Sequence, residues 1–511
     1  MRNPRLLFGL VSIALMAGGS GAFGADLPAG AGRPALPEVV ASFEGGRIAG
    51  AELRERLLEL FAMPLLSQLA GSTYTQAVLL REEAKKLGIR IEPAEATRKC
   101  AERDRFFASQ GGFEEEIRRS GLGWYDPRAV AEDMLLFERI ARRRKRLSAQ
   151  AELSEEDTKE VVALLEKEYA PAFFGPRHPR VATVGGIDRT QEDFLRFLVT
   201  QGSPVFLRAQ VETLAAQKRL LCEAEQRRLL PTALDLEMSL ARVRKQVDEQ
   251  NKGLWQAQAP LTLEGLLASQ GRTLEEFKDS LELRAQAATL KLLAPFLTDK
   301  ALESDYKNSE ESYTIVRCAH VFSPFNIESP YNPREVTDEM KQAARARIEE
   351  AEAVLKREKE YPKVSEEVFA DLVRRYSRCP LSWDREGDLG FLPRDPRLAR
   401  VLPPAAYRLD VLRDASGRVQ SPIRVSPPEL LEPLFALEDG TVGAVVESPF
   451  GYHLLRRMET RRPAGWESLR EMLYEVRLME KSVELSQELQ KKYPLACDWA
   501  PAAEKRAPPP R

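Results

Sequence analysis

The stretch Tyr313-Thr314-Ile315-Val316-Arg317-Cys318-Ala319-His320-Val321-Phe322 is rich in β-branched and aromatic residues and reads as a strand. A long charged segment, 336–359, has helical spacing, and Phe369-Ala370-Asp371-Leu372-Val373-Arg374-Arg375-Tyr376-Ser377-Arg378-Cys379 follows it. Next comes the glycine turn Gly387-Asp388-Leu389-Gly390-Phe391. The segment closes with Leu434-Phe435-Ala436-Leu437-Glu438-Asp439-Gly440, a strand over 442–447, and Ser448-Pro449-Phe450-Gly451-Tyr452-His453-Leu454-Leu455. Helices enclosed by terminal strands imply a mixed domain with a small antiparallel sheet flanked by helices.

The rest of the chain is of a different kind. Its 511 residues exceed what one core usually organises, so an α+β multidomain protein is expected. The composition, 43% hydrophobic and 30% charged with few aromatics, fits a helix-rich globular protein. A net charge of −2 supplies no global field for capturing nucleic acid, so no nucleic-acid partner is expected. Arg2 and Arg5 precede an apolar run over 6–17, followed by small residues and Ala22-Phe23-Gly24. That pattern is a signal peptide over 1–24, too short in its apolar part for a membrane anchor, and implies a periplasmic product. The five cysteines are scattered, without a CxxC pair.

Between the leader and the first strand the sequence is helical. A short strand and glycine turn at 39–48 precede a helix over 51–60, a second ending at Gly88, and two more over 93–109 and 126–148. A strand and glycine turn recur at 180–188, followed by helices over 192–200 and 220–229, which reads as duplication of the module. The expected divisions are module 1 over 38–170, module 2 over 180–307, the mixed domain over 312–462, a C-terminal helix over 465–493 and a flexible tail over 494–511. The proline-rich linker 169–179 contains His178, read as a surface residue. The basic run Arg142-Arg143-Arg144-Lys145-Arg146 reads as a solvated helix end.

The segment 312–462 resembles the parvulin (PpiC-type) family of peptidyl-prolyl isomerases. The matches are a first-strand His320, a helix ending in aromatic-Ser-x-Cys at 376–379, a Gly-Asp-Leu-Gly turn, Phe-Ala-Leu before Gly440, and a final Gly-Tyr-His. The helical portions upstream resemble the chaperone region of SurA-type proteins. The resemblance implies prolyl cis-trans isomerisation on unfolded polypeptides containing X-Pro bonds, with chaperone activity on exported and outer-membrane chains and no cofactor or metal. It also implies that His320 and His453 form a hydrogen-bonded pair, with Cys379 and Ser377 beside them. Leu389, Phe391, Leu430, Phe435 and Phe450 are the expected apolar contacts for the proline. The family usually carries methionine or leucine and phenylalanine ahead of Phe-Ala-Leu, where this chain has Val425-Ser426-Pro427-Pro428-Glu429-Leu430-Leu431 after a long proline-containing segment, 393–423. That departure leaves a catalytically inactive holdase as the alternative. On a strand Cys318 and His320 share a face, which would let Cys318 approach Cys379. The chain has no HExxH motif and no GxxxxGK[ST] loop, so metalloenzyme and nucleotide chemistry lack a signature.

Overall fold

A computed structural model describes residues 36–252, 262–331, 336–400, 402–409, 412–413, 419–497 and 499; the expected signal peptide lies outside them. They fall into two compact units, one formed before residue 293 together with residues from 483 onward, the other over 293–482. Both expected helical modules belong to the first unit, through residue 292. Among the described residues no helix is long and apolar enough to cross a membrane.

The first unit opens with the hairpin β1 (Val39–Phe43) and β2 (Gly46–Ala49), then α1 (Gly50–Ala62) and α2 (Pro64–Leu87). Gly88 closes α2 in the left-handed conformation that favours glycine, with φ of 67°. Helices α3 (Pro93–Phe106), α4 (Pro127–Arg144) and α5 (Glu155–Tyr169) follow, the last three each starting with proline or a capping serine. A second hairpin, β3 (Ala182–Val184) and β4 (Ile187–Arg189), leads into α6 (Gln191–Gln201) and α7 (Pro204–Gln226), so the order of β1 to α2 recurs. The basic run is a helix end with partners: Arg144 pairs with Glu83 and Glu168, and Lys145 with Asp157 and Glu160. His178 is exposed and its Nδ1 accepts from the Arg180 amide at 3.1 Å.

The stretch expected to be a flexible tail begins with a docked segment. Ser42 and Ala496 exchange two backbone hydrogen bonds, at 2.9 and 2.8 Å. Tyr493 is buried, its hydroxyl donating to Glu223 at 2.9 Å while Arg219 Nε donates to its carbonyl at 2.9 Å. The open edge of β1 is satisfied by this return of the chain, a pairing between distant residues that local sequence does not reveal.

In the second unit β5 (Ile315–Pro324) is followed by α8 (Asp338–Leu355), α9 (Glu366–Tyr376), β6 (Asp388–Pro393), β7 (Val442–Ser448) and β8 (Gly451–Arg461). The antiparallel sheet runs β7-β8-β5-β6. Strand alternation gives it two faces. Ala319, Val321 and Leu454 pack against Ala344, Ile348 and Leu355 of α8 and Phe369 and Val373 of α9. Val316, Cys318 and Leu455 face the other way, onto Leu430, Leu431 and Leu434. The long insertion after β6 contributes Leu402, Ala406 and Tyr407 to a third cluster with Ile315 and Phe391. That cluster also holds Leu302 and Tyr306, so residues 293–307 belong with the mixed unit instead of module 2. It takes in Leu469 and Met472 as well, where the chain enters the C-terminal helix α10 (Arg470–Lys492).

Candidate active site

His320 lies at the middle of β5 and His453 near the start of β8. The register places His453 opposite Phe322 and Leu455 opposite His320, so the histidines are diagonal neighbours on one face of the sheet. Their Nδ1 atoms are 3.1 Å apart, and both rings are buried. Phe322 stacks on His453 with centroids 4.6 Å apart, and Tyr331 stacks on Phe322 at 5.8 Å.

Two hydroxyls complete the line. Ser448 Oγ is 2.8 Å from His453 Nε2, and Ser382 Oγ is 3.1 Å from His320 Nε2. An Nδ1–Nδ1 bond carries one proton, so the two rings cannot choose their tautomers independently. Burial, then the positive charge of His320, holds His453 well below the usual histidine range. For the Cys379 thiol, burial acts upward, but hydrogen bonding to His320, the His320 charge, and hydrogen bonds from Ser382 and Tyr331 outweigh it and bring the pKa down to about 6. A consistent set of donors runs along the line. His320 donates from Nδ1 to Nδ1 of His453. His453 is neutral with its proton on Nε2, donates to Ser448, and Ser448 donates to the Gly451 carbonyl at 3.2 Å.

Gly387 makes this approach feasible. Its φ is +83°, and a Cβ there would sit 2.6 Å from the His320 carbonyl oxygen and 2.8 Å from Val373. The His320 amide in turn donates to the Gly387 carbonyl at 3.0 Å.

Ser377 is fully buried, and its Oγ accepts from the Phe322 amide at 3.1 Å, while the Arg378 amide donates to the Phe322 carbonyl at 2.8 Å. β6 pairs with β5 only as far as Ala319, so these two contacts satisfy backbone groups that have lost their sheet partner. Ser377 therefore fastens the end of α9 to β5, and its hydrogen bond goes to that strand's backbone. Cys379 is buried with Tyr331 Oη 3.1 Å from its sulfur.

The expected apolar contacts divide into three sets. Leu389 and Phe435 are half-buried beside Leu430, which is 1% exposed and packed among Leu392, Leu434 and Leu455. Phe450 is half-buried and meets Tyr331 edge-on at 6.0 Å, beside the histidine stack. Phe391 pairs with Arg317 and packs with Ile315 on the opposite side of the sheet. The shift in pairing between Cys318 and Ala319 lets β6 bulge at Leu389 and Gly390, so Leu389 and Phe391 do not share a face despite their spacing. Cys318 and Cys379 are both free thiols; burial pushes the Cys318 thiol far up, and its sulfur contacts the Ala319 carbonyl at 3.4 Å. Ser382, Ser448 and Tyr331 were not anticipated, and only their closeness in sequence to Cys379, His453 and the β5 end could have signalled them.

An antiparallel four-stranded sheet carrying a diagonal pair of buried histidines, with a thiol beneath one of them, defines a parvulin-type domain. The model of the PPIC-type PPIASE domain matches residues 330–459, which include Cys379 and His453 but not the strand bearing His320. The chain thus carries a parvulin-type peptidyl-prolyl isomerase domain. It is 29% identical over 179 residues to the putative peptidyl-prolyl cis-trans isomerase NifM of Azotobacter chroococcum mcd 1, covering 34% of this chain and 46% of that protein. To the protein of the same name from Azotobacter vinelandii it is 30% identical over 200 residues, 38% of this chain and 53% of that one. The chain thus spans about half the length of these curated relatives. Among solved structures, the peptidylprolyl isomerase PrsA of Bacillus anthracis is 14% identical, with 55% of this chain and 96% of that one covered and a TM-score of 0.27.

Proposed function

We propose that this chain is an exported folding factor: its parvulin-type site accelerates prolyl cis-trans isomerisation in unfolded polypeptides, and its helical unit holds those polypeptides as they fold. The observation that carries the reading is the histidine pair, 3.1 Å apart on one sheet face, with the Cys379 thiol, its pKa brought down by hydrogen bonding to His320, beside it.

Rotation about an X-Pro bond breaks nothing covalent. The barrier is the lost amide resonance, about 18–20 kcal/mol, and the end states differ by about 0.5–1 kcal/mol. Binding the twisted amide about 4 kcal/mol more tightly than either planar form gives roughly a thousandfold acceleration. A buried network with fixed protons suits that task, since its dipoles need no reorganisation when the carbonyl turns. His320, His453, Ser382 and Ser448 act as positioning residues that fix the charge and orientation of Cys379. Tyr331, 42% exposed, and Phe450 supply apolar walls on the accessible side. Export to the periplasm rests on the signal-peptide pattern at residues 1–24.

A second reading, the holdase without catalysis, is favoured by one observation: Leu430, the nearest substitute for the family's pocket residues, is part of the core and closed to a proline ring. Refolding of a client limited by proline isomerisation separates the readings. A folding factor with a working site raises the slow-phase rate at substoichiometric concentration, whereas a holdase suppresses aggregation and leaves that rate unchanged.

A further inference from the structure

The polar atoms of the histidine line are committed to one another. His320 meets His453 through Nδ1 and Ser382 through Nε2, and His453 meets Ser448 through its remaining nitrogen. All four ring nitrogens are engaged, and both rings are buried. Cys379 is 1% exposed. A peptide that took a hydrogen bond from either ring would leave a buried polar group without its partner, which is costly. The group that touches the twisting amide must therefore come from elsewhere on this face.

Tyr331 differs from the rings and the thiol in being open to solvent. Its Oη lies 3.1 Å from the Cys379 sulfur, yet the residue is 42% exposed. Its ring is the outer member of a parallel stack, with Tyr331 on Phe322 at 5.8 Å and 15°, and Phe322 on His453 at 4.6 Å and 19°. Phe450 meets the ring edge-on at 6.0 Å, and the Phe450 amide donates at 3.2 Å to Ser448 Oγ, the hydroxyl that ends the histidine line. The chain leading from β5 to Tyr331 is turned by Asn326, whose Oδ1 accepts from the Glu328 and Ser329 amides at 3.0 and 3.2 Å. Burial, then the hydrogen bond to Cys379, push the phenol's pKa up, so it keeps its proton throughout the neutral range. Sulfur is a weak acceptor, and the hydroxyl gives it up readily for a better one.

We propose that Tyr331 is a catalytic residue of the isomerase site: its hydroxyl donates a hydrogen bond to the proline nitrogen of the bound X-Pro amide as that amide twists. This rests on the reading of the histidine face as the proline site and adds the group that touches the reacting atoms. In the planar amide the nitrogen lone pair is delocalised into the carbonyl, which is the resonance that makes the barrier. Twisting localises the pair, and the nitrogen becomes an acceptor. A donor aimed at it binds the transition state and neither planar form, so it contributes to rate and not to affinity. No proton is transferred and no covalent bond breaks. As the second planar isomer forms, the lone pair re-enters resonance and the hydroxyl returns to the sulfur.

The test compares the full chain with its Tyr331→Phe variant, which keeps the ring and deletes only the hydroxyl. Protease-coupled isomerisation of a peptide with one X-Pro bond gives kcat/KM, and fluorescence anisotropy of the labelled peptide gives affinity. Loss of one transition-state hydrogen bond is expected to lower kcat/KM at least about threefold, while affinity stays within about twofold. Because Tyr331 also touches Cys379, the same comparison is made between Cys379→Ala and Cys379→Ala/Tyr331→Phe. A hydroxyl acting on the substrate still lowers kcat/KM at least about threefold in that background, whereas one acting only by holding the thiol does not. A fall of less than about threefold in either background, or an affinity lowered by more than about twofold, overturns the proposal. Absence of acceleration by the wild type would overturn the isomerase reading together with it; wild-type acceleration that Tyr331→Phe retains in full would remove only the role given to Tyr331.

Discussion

Replacing Ser382 by alanine should disturb the site more than its size suggests. The hydroxyl is fully buried and 3.1 Å from His320 Nε2, and the same group helps hold the Cys379 thiol down. Removing it leaves a buried ring nitrogen short of a partner, a loss of about 1–3 kcal/mol. In a unit of this size, such a loss lowers the melting temperature by roughly 2–12 °C. Ser426 provides the control, because its hydroxyl is buried with no hydrogen-bond partner among the described residues. Ser426→Ala removes an unsatisfied group and should be neutral or slightly stabilising. Calorimetry of the full chain reads both variants, and the Cys379 thiolate midpoint, followed by ultraviolet absorbance, should rise above about 6 in Ser382→Ala alone. Equal melting temperatures for the two variants, with an unmoved thiolate midpoint, would refute the role given to Ser382.

In the wild-type chain the difference absorbance against Cys379→Ser should titrate near pH 6, and a midpoint near that of an ordinary thiol would contradict the lowered Cys379 thiol. Both His453 and Cys379 have folded pKa values below their unfolded ones, so the folded state sheds protons first, and their stabilisation is complete above the unfolded values and lost as pH falls. Melting temperature should therefore decline as pH drops from about 9 through 6; a rise over that window in wild type relative to Cys379→Ser would contradict the assignment. Gly387→Ala should destabilise the domain by more than about 1 kcal/mol, through both its positive φ and the contact with the His320 carbonyl, and a neutral result in urea unfolding would show that the turn relaxes. Tyr493→Phe should cost about 1–2 kcal/mol in the helical unit by releasing Glu223 and Gln226, measured as faster amide exchange at Ser42; unchanged exchange would detach the C-terminal segment from that role.

The parts of the architecture set by local signals were readable. Proline at helix starts, Gly88 at a helix end and the two glycine hairpins gave most element positions, and the rarity of histidine made His320 and His453 conspicuous. Three features were not readable, each because it depends on pairing between distant residues. The β6 bulge turns Phe391 to the other face although its spacing from Leu389 implies a shared one. The docking of Ala496 on Ser42 is a tertiary strand pairing. Ser382 and Ser448 are common residues in turns, and only the fold shows that their hydroxyls close the line through the histidines. Ser377 drew notice for its place beside Cys379, but the sheet geometry gives it a backbone acceptor's work.

We propose that the histidine pair and Cys379 form a working prolyl isomerase site. It is tested most directly by protease-coupled isomerisation of a proline peptide with the full chain, beside His453→Ala and Cys379→Ala. The account predicts acceleration by the wild type that falls at least about tenfold in each variant, the equivalent of about 1.4 kcal/mol of lost transition-state binding. No acceleration by a wild-type chain that melts cooperatively, or equal acceleration by all three proteins, would contradict it.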